Sequence, residues 1–323
     1  MAQENSDVTS NQREIPSANP EPVIRVRNLR KAYGDVRAAD GVDFDVRPNE
    51  IFGMVGPNGA GKTTTIECVE GLRTPDGGEI RALGLDPHRD GQAFRKKVGV
   101  QLQESQLQSR IRVWEVLDLF ASFYGKPAAW EPLLRRLGLE EKRSVPFAKL
   151  SGGQKQRLFI ALALINDPQL VFFDELSTGL DPQARRAMWD LIRGLRDDGK
   201  TIVLTTHFME EAERLCDRVA IMDHGKIIAL DTPENLIRAL GAENRVVFTT
   251  DKELPVEALQ ALPGVKRVER IGDRLIVYGA DDRLVVDVVN YLSMSRVKFR
   301  DLRTEQASLE DVFLTLTGHV MRD

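Results

Sequence analysis

The chain has 323 residues, 42% of them apolar, and a formal net charge of −4 with both signs interspersed. That is enough apolar residue for a main domain with a smaller one beside it, and it gives no electrostatic case for a nucleic-acid partner. Cys68 and Cys216 are too few for a disulfide framework and suit burial in a reducing cytoplasm, while the longest apolar run, Leu158 to Ile165, falls far short of the ~20 residues of a membrane span, so no direct membrane insertion is expected.

In chain order, residues 1–22 are polar and carry Pro16, Pro20 and Pro22, a composition expected of a disordered tail that also lacks the basic start and apolar stretch of a secretory signal. From Val23 the pattern alternates, and Val23 to Leu29 and Val42 to Val46 are predicted to be half-buried antiparallel strands, with Tyr33 in the link between them. The apolar run Ile51 to Val55 then hands over to GPNGAGKT and a helix-compatible run from Thr63 to Gly71. A strand, a glycine-rich turn and a helix N-terminus make an anion trap. Gly56, Gly59 and Gly61 let the backbone curl with its amides inward, with Pro57, Asn58, Ala60 and Thr64 completing the loop. Lys62 supplies a full charge for β- and γ-phosphates, and the Thr63 hydroxyl can ligate Mg²⁺.

Two further strands are predicted, Glu79 to Leu83 and Lys97 to Leu102, the second ending at Gln103. Beyond it Val113, Val116, Leu117, Phe120 and Tyr124 recur at helical spacing, and Trp114, Leu119 and Phe123 widen the apolar arc beyond one face. Leu150-Ser151-Gly152-Gly153-Gln154 opens the next helix, which makes it either an N-cap or a second anion site. The buried-type strand Leu170 to Phe173 delivers Asp174 and Glu175, and the strand Thr201 to Thr205 delivers Thr206 and His207. Three strand ends, at Gly56, Asp174 and His207, are therefore expected to converge on one crevice of a parallel sheet.

As a set, Tyr33, the loop Gly56 to Thr63, Gln103, the pentapeptide Leu150 to Gln154, Asp174-Glu175, the turn Thr178-Gly179-Leu180-Asp181 and His207 resemble the nucleotide-binding domain of the ATP-binding cassette (ABC) superfamily, in its order, over residues 23–240. The ending Ser308 to Gly318, SLEDVFLTLTG, resembles that of the daunorubicin-resistance type of multidrug-exporter ATPase. It also reads as a packing helix with a Ser308–Asp311 capping box. Leu176 stands where the family often has proline.

The resemblance implies a phosphate-loop NTPase of α/β class: a RecA-like parallel core, an antiparallel β subdomain and a helical subdomain over about 104–166. It implies ATP with its base on Tyr33, and Mg²⁺ held by Thr63, Gln103 and Asp174. Glu175 would be the base acting on water, His207 a γ-phosphate contact, and Asp181 a contact across a dimer. A second copy would cover the nucleotide with Ser151, Gly152, Gly153 and Gln154, and a separate multi-span permease would dock near Gln103 and the following helix. That places an efflux ATPase at the inner face of the cell membrane, moving a drug, lipid or polysaccharide-type substrate. The competing reading is a soluble ATPase of the same superfamily in translation or DNA repair, which generally has two cassettes or zinc cysteines where this chain has one cassette and no CxxC. Residues 242–318 follow a β-α-β-β-α-β order, a small ferredoxin-like unit with the terminal helix appended.

Overall fold

The computed structural model describes residues 21–101, 106–124, 130–239, 244–250, 254–279, 283–305 and 307–318. Gln103 and the tail 1–20 lie outside them. Strands β1 (Ile24–Tyr33) and β2 (Val36–Val46) pair antiparallel, Ile24 with Val46 and Tyr33 with Val36. Tyr33 is thus the last residue of a strand longer than its apolar alternation indicated, because backbone pairing continues past the last buried side chain. Then come β3 (Ile51–Val55), α1 (Lys62–Val69), β4 (Gly77–Ala82), α2 (Gly91–Arg95) and β5 (Val98–Gln101). The helical segment follows, with α3 (Val113–Ser122), α4 (Glu131–Arg136) and α5 (Gly152–Ala163).

The chain returns through β6 (Leu170–Asp174), α6 (Pro182–Asp197), β7 (Thr201–Thr206), α7 (Met209–Leu215), β8 (Arg218–Asp223), β9 (Lys226–Asp231) and α8 (Pro233–Ala239). The central sheet runs β5-β6-β7-β3-β8-β9, parallel except for the antiparallel edge strand β9. Strands β3, β6 and β7 are buried throughout because both faces are covered. Ile51, Val55, Val171, Phe173, Ile202 and Leu204 face the helical layer, whereas Phe52, Met54, Leu170, Phe172 and Val203 face α1 and the antiparallel sheet β2-β1-β4.

The last part contains β10 (Asn244–Thr250), α9 (Val256–Gln260), β11 (Val265–Ile271), β12 (Arg274–Gly279), α10 (Leu284–Met294), β13 (Phe299–Glu305) and α11 (Leu309–Thr317). Its sheet is antiparallel in the order β11-β12-β10-β13, the arrangement of a split βαβ unit. Helix α11 leaves that sheet and packs on α7 and α8, burying Leu309, Val312 and Phe313 in the same core as the helical layer. Ser308 and Asp311 form the expected capping box, and the Leu309 amide donates to Glu213 Oε2 on α7 at 2.9 Å.

Among the described residues no helix is long and apolar enough to cross a membrane. Both cysteines are buried. The wide apolar arc of α3 divides. Val113, Val116 and Leu117 enter the core, whereas Leu119 and Phe123 remain 46% and 67% exposed.

Candidate nucleotide site

Strand β3 ends at Val55 and α1 begins at Lys62, so the six intervening residues form a loop at the C-terminal edge of the parallel sheet. Two glycines in it are dictated by space. A Cβ at Gly56 would lie 2.1 Å from the Met222 carbonyl oxygen, and one at Gly61, where φ is +99°, would lie 1.9 Å from that of Ala38. The Ala60 amide donates to the Pro57 carbonyl at 3.1 Å, and the Ala60 carbonyl accepts from the Gly225 amide at 3.0 Å, which fastens the loop to the β8–β9 turn. Asn58 and Gly59 are exposed at its crest, while Thr64 is half-buried.

Lys62 is buried, and its Nζ donates to the carbonyls of Gly56 at 2.8 Å and Pro57 at 3.1 Å. Burial pushes its pKa below the usual lysine value, opposed by the charges of Glu175 and Asp174. A cation bound only to neutral carbonyls, at a helix N-terminus and under a cradle that side chains cannot enter, fits a polyphosphate.

Strand β6 brings Asp174 beside this loop. Its Oδ2 accepts from Thr63 Oγ1 at 3.4 Å and its Oδ1 from Thr205 Oγ1 on β7. Burial raises the Asp174 carboxyl above its ordinary value, the Thr205 hydrogen bond acting the other way. Thr63 Oγ1 and Asp174 Oδ2 are hard oxygen donors of the kind Mg²⁺ takes alongside substrate phosphates.

Glu175 adopts φ +49°, a left-handed conformation that costs a non-glycine residue about 1–2 kcal/mol and that recurs at functional sites. Its amide donates to both the carbonyl and the hydroxyl of Thr205, at 3.2 Å each, and Thr178 Oγ1 donates to its Oε2 at 3.4 Å. Its Oε1 lies 3.2 Å from His207 Nδ1. Lys62, Thr63, Asp174, Glu175 and His207 therefore meet at one edge, as the three strand ends suggested.

In the sequence Thr205 is no more than the end of a strand, yet in the fold it supports both carboxylate residues. A threonine following the apolar run Ile202 to Leu204 of a fully buried strand is the available signal, since a buried hydroxyl needs partners. Leu176, in place of the proline common in the family, is buried in the helical-side core.

Ser151 N-caps α5, its Oγ accepting from the Gln154 amide at 3.3 Å while Gln154 Oε1 accepts from the Ser151 amide at 3.0 Å. Ser151 and Gly152 are exposed, and Gly153 and Gln154 half-buried. Asp181 caps α6 through the Ala184 amide at 2.9 Å and is exposed. Tyr33 is 41% exposed beside Arg73 and Lys31.

Comparison with known proteins agrees with this geometry. The ABC transporter family matches residues 39–178, and the family described as "Nodulation factor export protein NodI, C-terminal domain" matches residues 256–318. The Nod factor export ATP-binding protein I of Ralstonia nicotianae is 41% identical over 316 residues, 95% of this chain and 98% of that protein. The solved structure of an ATP-binding subunit of an ABC transporter superposes with TM-score 0.62 at 32% identity, over 68% of this chain and 93% of that one. A dimeric bacterial ABC transporter cassette does so with TM-score 0.58 at 27% identity, over 65% of this chain and 98% of that one. With a strand-loop-helix anion cradle, paired carboxylates at the end of β6 in the same sheet and relatives matched along nearly its whole length, this chain belongs to the nucleotide-binding ATPase subunits of the ABC transporter family.

Proposed function

We propose that the chain energises export through a separate membrane permease, two copies closing on ATP between them. The observation that carries this is the meeting of Lys62, Asp174, Glu175 and His207 at the ends of three adjacent parallel strands. The similarity to a Ralstonia export ATP-binding protein supports export as the direction of transport, and the similarity to a dimeric cassette supports pairing of two subunits. In this reading the protein is cytoplasmic and peripheral at the inner face of the membrane. Residues 23–240 form the cassette, and residues 242–318 an accessory unit whose last helix packs back on it.

The chain's residues divide the work. The backbone N–H groups of the loop Gly56 to Thr63, Pro57 excepted, and the Lys62 ammonium hold the β- and γ-phosphates, displacing the lysine from its loop carbonyls, and Tyr33 carries the base. Thr63, Asp174 and Gln103 hold Mg²⁺, which neutralises phosphate charge. Glu175 takes the proton of the attacking water through a carboxylate fixed by Thr178 and His207. His207 keeps its other ring nitrogen for the γ-phosphate. Ser151, Gly152, Gly153 and Gln154 of the second copy close the site, with Asp181 at the same seam.

Replacing Glu175 by Gln keeps the shape and removes the base. ATP binding is expected to survive, hydrolysis to fall about 10²- to 10⁴-fold, and an ATP-dependent dimer to accumulate on size-exclusion chromatography. Hydrolysis at the parental rate by Glu175→Gln would refute the assignment.

A further inference from the structure

Tyr33 is held by a charged frame that sequence distance conceals. The Arg73 guanidinium carbon lies 5.3 Å from its ring centroid and Lys31 Nζ 5.7 Å, both within the ~6 Å reach of cation–π attraction. Each cation is tethered by a carboxylate. Arg73 Nε donates to Glu67 Oε2 at 2.5 Å, and Lys31 Nζ to Asp76 Oδ1 at 2.7 Å. Asp76 Oδ2 also accepts the amide of Ala32, next to the tyrosine, at 2.7 Å.

Glu67 belongs to α1, the helix that starts at Lys62. Beyond that helix Gly71, with φ +75°, turns the chain back, and the amides of Leu72 and Arg73 both donate to the Glu67 carbonyl, at 2.9 and 3.1 Å. Arg73 is therefore fixed to Glu67 by backbone and by side chain. The Tyr33 ring is restrained from the same helix that carries the phosphate loop, yet 41% of the residue stays exposed.

We propose that Arg73, locked by Glu67, is a positioning residue for the nucleobase of the bound nucleoside triphosphate: it holds Tyr33 as a platform in fixed register with the phosphate loop. The base stacks on the tyrosine surface left open, and α1 sets the distance between platform and loop. Lys31, on β1 and held by Asp76, braces the same ring. This rests on the reading of Tyr33 as the base platform.

The test compares ATP with inorganic tripolyphosphate, which has the charge and no base, by calorimetric titration of the full-length chain and of Tyr33→Leu, Arg73→Ala, Arg73→Lys and the double variant Tyr33→Leu/Arg73→Ala. Arg73→Ala is expected to raise the Kd for ATP about three- to five-fold and to leave tripolyphosphate unchanged. Arg73→Lys should recover most of the loss, and Arg73→Ala should add nothing in the Tyr33→Leu background. In turnover the KM for ATP rises and kcat stays constant. Equal weakening toward both ligands, or an undiminished loss on top of Tyr33→Leu, overturns the proposal by making Arg73 a support of α1 or a direct ligand. A loss in Tyr33→Leu with none in Arg73→Ala overturns it alone. No loss in Tyr33→Leu removes the platform reading, and this inference with it.

Discussion

The phosphate loop and the Ser151–Gln154 turn are both glycine-bearing helix starts, and they are finished to different degrees. In the loop, space forbids side chains at Gly56 and Gly61, the lysine is buried against neutral carbonyls, and β6 brings Asp174 and Glu175 while β7 brings Thr205 and His207. In the turn, Ser151 and Gln154 satisfy each other in a capping box, and Ser151 and Gly152 face outward. The loop is a binding site within one chain. The turn is a helix cap complete in itself, and in the function proposed above it joins a site only when a second copy supplies the phosphate. Like chemistry at two helix ends is finished differently by what surrounds it, and the proposed function turns that difference into two halves of different sites.

The largest expected effect sets the two regions directly against each other. Lys62→Ala should weaken ATP binding by the isolated chain about 10²-fold, because a charge-assisted contact to phosphate disappears. Ser151→Ala should leave that binding intact and lower hydrolysis about 10²-fold, the scale for losing one donor to a reacting anion. Mixing the two variants should restore turnover that neither shows alone, since each mixed dimer contains one site with an intact loop and an intact turn. An ATPase assay of the mixture checks this, and silence in it would place both halves in one chain.

An effect on stability rather than on turnover sharpens the contrast on the loop side. Glu70, just after the last turn of α1, is buried with Oε2 unpartnered, and burial pushes its pKa from 4.5 up to about 8. The folded state thus keeps a proton that the unfolded chain releases above about pH 4.5, so the stability tied to Glu70 is full below that pH and is lost as pH rises through 8. Glu70→Gln stays neutral throughout. Its thermal stability relative to the parent should grow between pH 5 and 8, by on the order of a few kcal/mol, and level off above that. A difference independent of pH would mean that Glu70 is already ionised in the folded chain.

Legibility in the sequence followed the range of the interactions. The phosphate loop could be read because strand, glycines and lysine act within a few residues, and Asp174, Glu175 and His207 because continuous apolar strands announce a buried parallel sheet. The Ser308–Asp311 capping box was readable for the same local reason. The charged edge strand β9 and the short helix α8 were not anticipated. Neither carries strong periodicity, and their places are set by pairing with β8 and by packing near α7 and α11. Thr205 as the partner of the Asp174 carboxylate and of the Glu175 amide, and Arg73 beneath Tyr33, depend on partners 31 and 30 residues away for the one and on a turn at Gly71 for the other. Periodicity and local motifs carry no information about such meetings.

The central claim is that the loop of one chain and the Ser151 turn of another close on the same nucleotide. Cysteines at Asn58 and Ser151, both exposed, can report it, because native Cys68 and Cys216 are buried. In the Glu175→Gln background, oxidation of Asn58→Cys/Ser151→Cys with ATP present should give a covalent dimer that is absent without nucleotide. Failure to cross-link while ATP is bound, or cross-linking to the same extent without it, would contradict the account.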